Sequence, residues 1–485
     1  MNHQSRARGT ALVVAAAVAV TTVVFLSRPA GGADEKPKDV GKTSYDQVAP
    51  ALAGQISFAD MMEKDKAAKD AIVKKQMALL AERYDLTPHL SDKVTMTRGK
   101  KIAVGPTAKL PADMTFEKLA EMSAADIREK GLFPKGYLPL PHPNHAAGGM
   151  LFPQHQIDFP KKENRQFARL ERFDLDYDIR EEFLPEFPPA IFLTTRPDLG
   201  DVSQGKVVTI ENFQEIFHGI LNGKDLDGLR LLLTQFPQQQ FNATADRKTN
   251  HPQGMQGVAC LDCHLNGHTT RSTHLVGDIR PQEHRRRINT PSLRGVNIQR
   301  LFGSQRALKS VEDFTEFEQL AAYFDGDLMT AGAKGMNRLD RSTQVHTMAE
   351  FQNLLDFPPA PGLGWDGKLD PKQFGDDTPE MKGQKLFFNK ARCAECHPAP
   401  YYTDNTMHDL QVERFFKPQM INGLMATKQG PIKTFPLRGV KESPPFLHDG
   451  RLLTLEDTVE FFNLILELKL SKEEKAQLVA FLHVL

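Results

Sequence analysis

Apolar residues recur along the chain in short runs at helical spacing, each opened by a polar cap and closed by Gly or Pro. Phe58 to Tyr84 carries Met61, Met62, Ile72, Met77 and Leu80 on one side and predicts a helix. Ser123 with Asp126 caps a shorter helix that Gly131 stops. Between Phe133 and Pro197 the texture changes to prolines and aromatics, as in Pro139-Leu140-Pro141 and Phe187-Pro188-Pro189. That content of Phe and Leu is too high to stay solvated and predicts irregular chain packed on a neighbour. Further on, Gly228 to Leu233 and Gly383 to Phe388 read as helices, Ser310-Val311-Glu312-Asp313 and Thr454-Leu455-Glu456-Asp457 as capping boxes, and Ser471 to Leu485 as a closing helix with Leu478, Phe481, Leu482 and Leu485 on one side.

The second half repeats itself. Each of the helices at Gly228 and Gly383 precedes a Cys-x-x-Cys-His pentad, Cys260-Leu261-Asp262-Cys263-His264 and Cys393-Ala394-Glu395-Cys396-His397. Each pentad precedes a Pro-x-Leu-Arg-Gly-Val segment, Pro291 to Val296 and Pro436-Leu437-Arg438-Gly439-Val440 with Phe435 before it. From Arg294 to Ser310 is 16 residues, and from Arg438 to Thr454 is again 16. One duplicated helical unit explains these agreements. The copies differ by an insertion, since 26 residues separate Leu233 from Cys260 and only four separate Phe388 from Cys393. The run Pro358-Pro359-Ala360-Pro361-Gly362-Leu363-Gly364 reads as a linker between the copies, and the only Trp, Trp365, as a surface or packing residue beside it.

At 485 residues with 25% charged, the chain has the size of two or three globular domains. Equal numbers of basic and acidic residues, 61 each, argue against a general nucleic-acid binder. Arg6 and Arg8 precede an apolar run of 16 residues, Ala11 to Leu26, and a small-residue stretch to Ala33. This pattern predicts a secretory signal over residues 1–33; an uncleaved anchor is the alternative, although the run falls short of the roughly 20 residues that span a bilayer. All four Cys lie in the two pentads, so no disulfide framework exists. A zinc site would need more paired ligands. The spacing suits covalent haem c: two thiols one helical turn apart add to the vinyl groups, and the next His ligates the iron.

With Pro444-Pro445-Phe446-Leu447-His448-Asp449-Gly450-Arg451, Met381 to Phe387 and Glu474 to Leu482 added, the chain resembles the bacterial di-haem cytochrome c peroxidases and MauG over about residues 215–485. The resemblance implies a mainly α fold: two tandem cytochrome c-like haem domains, residues 215–355 and 356–485, preceded by an irregular, partly helical region, 34–214, of unknown role. It implies two haem c groups on Cys260, Cys263, Cys393 and Cys396, with His264 and His397 as proximal iron ligands and Arg294 and Arg438 as propionate anchors. It also implies a calcium ion held by Asn289 and the carbonyls of Ser443 and Pro445, oxygen donors suited to a hard cation. The distal acid-base residues would come from His274, His284, Asp325 and Asp327; His268 is a third nearby histidine. Where the family places Met or Tyr on the second iron, this sequence has Phe462, so Met420 or Met425 fills that place or the iron is open there. Phe302 is the aromatic nearest the family's tryptophan between the haems. The implied activity is reduction of hydrogen peroxide in the periplasm with electrons from a cytochrome c or cupredoxin. The alternatives are oxidation of an organic or protein substrate, as by MauG and the rubber oxygenases, and a non-catalytic electron carrier.

Overall fold

The computed structural model describes residues 58–140, 179–234, 259–269, 273–276, 286–303, 306–318, 340–418, 420–421, 424–425 and 430–485, with the backbone alone at 58–69, 72, 273–276, 286–288, 420–421 and 424–425. The architecture is mainly helical, with strands confined to short two-stranded ladders. The helices that place the site are α1 (Phe58–Arg83), α2 (Ala124–Lys130), α3 (Gly223–Leu233), α4 (Cys260–Cys263), α5 (Val311–Phe317), α6 (His346–Leu354), α7 (Pro379–Phe388), α8 (Leu455–Ile465) and α9 (Lys472–Leu482). The ladders that matter are β1 (Thr273–Val276) with β2 (Arg286–Asn289), and β3 (Met407–His408) with β4 (Ile432–Lys433). The expected caps are in place: Ser123, Ser310, Thr454 and Ser471 each accept the backbone N–H three residues on, and Gly131 closes α2 in the left-handed conformation.

Two cores carry the pentads, and each is built on one crossing of helices. In the first, α3 lies on α6; in the second, α7 lies on α9. A glycine sits at each crossing because a side chain has no room. A Cβ on Gly228 would lie 2.1 Å from the Thr347 carbonyl oxygen, and one on Gly383 would lie 1.9 Å from that of Gln477. Phe351 and Phe481 occupy the matching place four residues later, both buried. The ends close alike as well: the Gly295 N–H donates to the Leu355 carbonyl at 2.8 Å, and the Gly439 N–H to the Leu485 carbonyl at 3.0 Å.

The described residues before 215 do not stand apart. Ile191, Leu193, Val202, Val208 and Phe213 belong to the same apolar cluster as α3 and α6, while Ala108, Leu119, Ile127, Phe133 and Tyr137 join the cluster of α7, α8 and α9. Polar contacts fix the second docking. Arg451 is fully buried, pairs with Asp449 at 2.8 Å and donates to the Tyr137 carbonyl at 3.0 Å; Thr454 donates to the Gly105 carbonyl at 2.8 Å. Tyr84 donates to the carbonyls of Gly136 and Arg451.

The expected linker is not a free tether. Phe357 and Pro358 pack directly against Gly295 and Gly439, whose φ values of +70° and +68° leave the space that a Cβ would fill. Prolines stiffen this crossing between the cores rather than solvating it. Trp365 is 96% exposed, on the surface side of the expectation.

Candidate haem site

Both pentads fold into the same small device. Asp262 accepts the Ala259 N–H at 2.8 Å to hold the start of α4, and the His264 N–H closes the turn on the Cys260 carbonyl at 3.0 Å. The His397 N–H does the same to the Cys393 carbonyl at 2.9 Å. Each ring is then oriented through Nδ1, which donates to a backbone carbonyl: that of Pro291 at 2.9 Å for His264, and that of Tyr402 at 2.8 Å for His397. With the proton fixed on Nδ1, the lone pair is on Nε2, the tautomer that a metal ligand needs. Burial pushes His264 down to about 4 and lowers His397 as well, so both rings are neutral bases.

Both histidines, with Cys263, Cys393 and Cys396, line one cavity of about 580 Å³. Apolar side chains such as Val296, Phe302, Leu437, Val459, Phe462 and Leu466 make most of its wall. Burial pushes the Cys260 and Cys393 thiols up to about 12, which keeps them protonated. Among the described residues no cluster of three or more His, Cys, Asp or Glu could hold a metal ion. A thiolate metal site does not suit these residues. An apolar group joined to these sulfurs as thioethers does.

Arg294 adds a polar observation of the same kind. It is 5% exposed, gives Nη1 to Glu442 at 2.8 Å and Nη2 to the Ala190 carbonyl at 2.6 Å, and its buried Nε has no partner. An orphaned N–H beside the cavity fits an acidic group of a bound haem. Arg438 also lines the cavity; its Nε donates to the Leu485 carbonyl at 2.9 Å.

The remaining expected residues divide. Asn289, Ser443 and Pro445 all line the cavity, and the Asn289 N–H donates to the His448 carbonyl at 2.8 Å. His274 lies on β1, where only the backbone is described; His284, Asp325 and Asp327 lie outside the described residues. The His268 ring bonds Ser292 Oγ at 2.7 Å and the Glu442 carbonyl at 2.9 Å, a structural use of both nitrogens. Phe462 lines the cavity from α8. Met420 and Met425 face each other across a short ladder, with backbone alone described.

Sequence reasoning missed Glu442 and Lys433. Glu442 accepts from Arg294 and from the Thr97 N–H at 2.9 Å, joining three parts of the chain. Burial opposes its ionisation, but the charge of Arg294 and the hydrogen bonds from Thr97 and Arg294 together hold the carboxyl below its usual range. One signal was present: counted from the two Arg-Gly-Val triplets, the first copy has Ile298 where the second has Glu442.

No family model matches the chain. Among curated proteins, a methylamine utilization protein MauG of Methylorubrum extorquens is 30% identical over 156 residues, covering 28% of this chain and 42% of its own. A cytochrome c peroxidase of Pseudomonas sp. strain SCT is 26% identical over 152 residues, 22% of this chain and 40% of its own. A cytochrome c551 peroxidase of Nitrosomonas europaea is 28% identical over 157 residues, 30% of this chain and 44% of its own. The chain thus spans under half the length of the curated relatives it matches. Among solved structures, a hydrazine synthase chain of Kuenenia stuttgartiensis aligns with a TM-score of 0.37 at 20% identity, over 58% of this chain and 93% of its own. A MauG-like protein associated with microbial copper homeostasis aligns with a TM-score of 0.35 at 18% identity, over 54% of this chain and 88% of its own. Both likenesses are too loose to specify the fold. The curated relatives are peroxidases and MauG, and the two pentads here present matched histidines to one cavity: at low identity and over part of its length, the chain is similar to the di-haem cytochrome c peroxidase and MauG superfamily.

Proposed function

We propose that the chain is an exported oxidoreductase with two covalent haem c groups, one on Cys260, Cys263 and His264 and one on Cys393, Cys396 and His397, in tandem domains over residues 215–355 and 356–485. The observation that carries this reading is the pair of carbonyl-oriented histidines opening onto one cavity. Haem iron supplies the redox chemistry when bound. The chain's own part is to hold Nε2 of each ring toward the iron, keep water from the apolar wall and receive acidic haem groups at Arg294 and Arg438.

The favoured reaction is reduction of hydrogen peroxide, which takes up two protons and two electrons to give two waters. A cytochrome c or cupredoxin supplies the electrons one at a time, and the proton-moving groups come from His274, His284, Asp325 and Asp327. A calcium ion at Asn289, Ser443 and Pro445 would tie the domains together. Export rests on the apolar run before Ala33; among the described residues no helix is long and apolar enough to cross a membrane. A second reading, oxidation of an organic or protein substrate, is favoured by Phe462, whose ring lines the cavity and has no lone pair to donate.

Electron paramagnetic resonance of the oxidised, haem-loaded protein tests the proposal together with peroxide turnover. The expected result is a high-spin ferric signal and two donor electrons consumed per peroxide. An oxidised organic product without donor consumption selects the second reading. Two low-spin irons inert to peroxide would leave an electron carrier and overturn both.

A further inference from the structure

The cavity wall between the pentads carries a charge that the proposed chemistry does not use. Lys433, on β4, is 3% exposed and lines the cavity. Among the described residues its Nζ has one hydrogen-bond partner, Gln299 Oε1 at 3.0 Å, and lies 5.3 Å from the Phe302 ring centre and 5.5 Å from that of Phe435. Gln299 and Phe302 follow the first Pro-x-Leu-Arg-Gly-Val segment, while Phe435 opens the second, so the ammonium stands at the seam between the two copies. An amide oxygen and two ring faces attract an ammonium without cancelling its charge.

No carboxylate among the described residues pairs with Lys433. The charge that acts on it is another cation, Arg306. Burial pushes the Lys433 ammonium down to about 8, and Arg306 adds to that shift. Across the ladder from β4, His408 is paired with Asp404 at 2.7 Å. A cation withdrawn from water, with no acid beside it among the described residues, is an incomplete arrangement that an anion would complete.

We propose that Lys433 forms an anion-binding site on the cavity wall between the pentads, and that the group it takes is a carboxylate. An ammonium has three donors, and with one given to Gln299 the others suit the two oxygens of that group. The carboxylate is either a propionate of a bound haem or a small free acid; the chemistry is the same and the source is what the test separates. The inference rests on the two-haem reading.

The test uses the full-length, haem-loaded protein and the variant Lys433→Met, with Lys433→Gln as the second variant should the first load poorly. Intact mass comes first: fewer than two haems in the wild type would undo the two-haem reading, separately from this one. Redox potentiometry then follows both haems with and without formate as the probe. Loss of the cation is expected to shift the midpoint potential of at least one haem downward. A shift of the variant at every formate concentration, with a wild type insensitive to formate, identifies a haem propionate. A wild-type potential that moves saturably with formate, and a variant that does not respond, identifies a free acid. Variants carrying two haems whose potentials equal the wild type's, with and without formate, overturn the proposal.

Discussion

Arg294 and Arg438 hold the same place in the two repeated segments and do different work. Arg294 is buried and reaches across to Glu442 of the second copy, which also binds Thr97 from the region before both copies. Arg438 is half-buried and stays at home, bonding the Leu485 carbonyl at the end of its own closing helix. The backbone frame around them did not diverge in this way. Gly228 with Thr347 and Gly383 with Gln477 form the same crossing, because backbone meets backbone there and no side chain can be inserted. The comparison teaches that contacts between main chains preserve the repeat, while a long side chain at an equivalent position is free to bolt the copies together.

The largest effect is expected where the frame is attacked. Gly228→Val and Gly383→Val each drive a Cβ into a backbone carbonyl, and each should cost about 4–5 kcal/mol in urea unfolding or prevent folding. Similar losses from both would support a shared frame; a tolerated valine at either position would break the comparison.

Next comes the asymmetry. Glu442→Ala leaves Arg294 buried without its counter-charge and should cost about 3 kcal/mol, against roughly 1 kcal/mol for Arg438→Ala, which loses one hydrogen bond. Equal effects would remove the distinction. The Glu442 carboxyl is held below its ordinary value of 4.5 in the fold, so its contribution is present above about 4.5 and is lost as pH falls through the lower folded value. Wild-type stability should show that acid loss, and Glu442→Gln should blunt it.

Asp457 works in the opposite sense. Burial on α8 under Thr107 and Ala108 pushes its carboxyl up to about 7 from 3.8, so between those values the folded chain holds a proton that the unfolded chain has released. Stability therefore falls as pH rises from about 4 to 7. Asp457→Asn should gain relative to wild type across that window, by on the order of 2 kcal/mol, and level off above it; urea titrations at pH 5 and pH 8 check the sign.

The smallest change in stability should come from Phe462→Met, under about 1.5 kcal/mol for an apolar swap on the cavity wall. Its spectral effect would be clear. The haem at His397 should become low-spin with a thioether ligand and a higher potential, read in the near-infrared. A wild type that already shows a His/Met band at that site would place another methionine there.

Much of this frame was legible in the sequence because its determinants are local. Caps at Ser123, Ser310, Thr454 and Ser471, the pentads and the 16-residue spacing all depend on neighbours a few residues away. Helix α6 was not foreseen. Its apolar side is set by packing on Gly228, a contact between positions more than 100 residues apart. Glu442 and Lys433 escaped for the same reason. A charged residue in an ordinary sequence context reads as solvated, and only the fold brings Glu442 to Arg294 and sets Lys433 between Phe302 and Phe435.

The central claim is that each pentad carries its own haem. Mass spectrometry of the intact protein and of its protease fragments tests this most directly. The account predicts two covalent haem additions, one on the fragment bearing Cys260 and Cys263 and one on the fragment bearing Cys393 and Cys396. One addition or none in protein matured with haem supply, or haem released by acidic acetone, would contradict it.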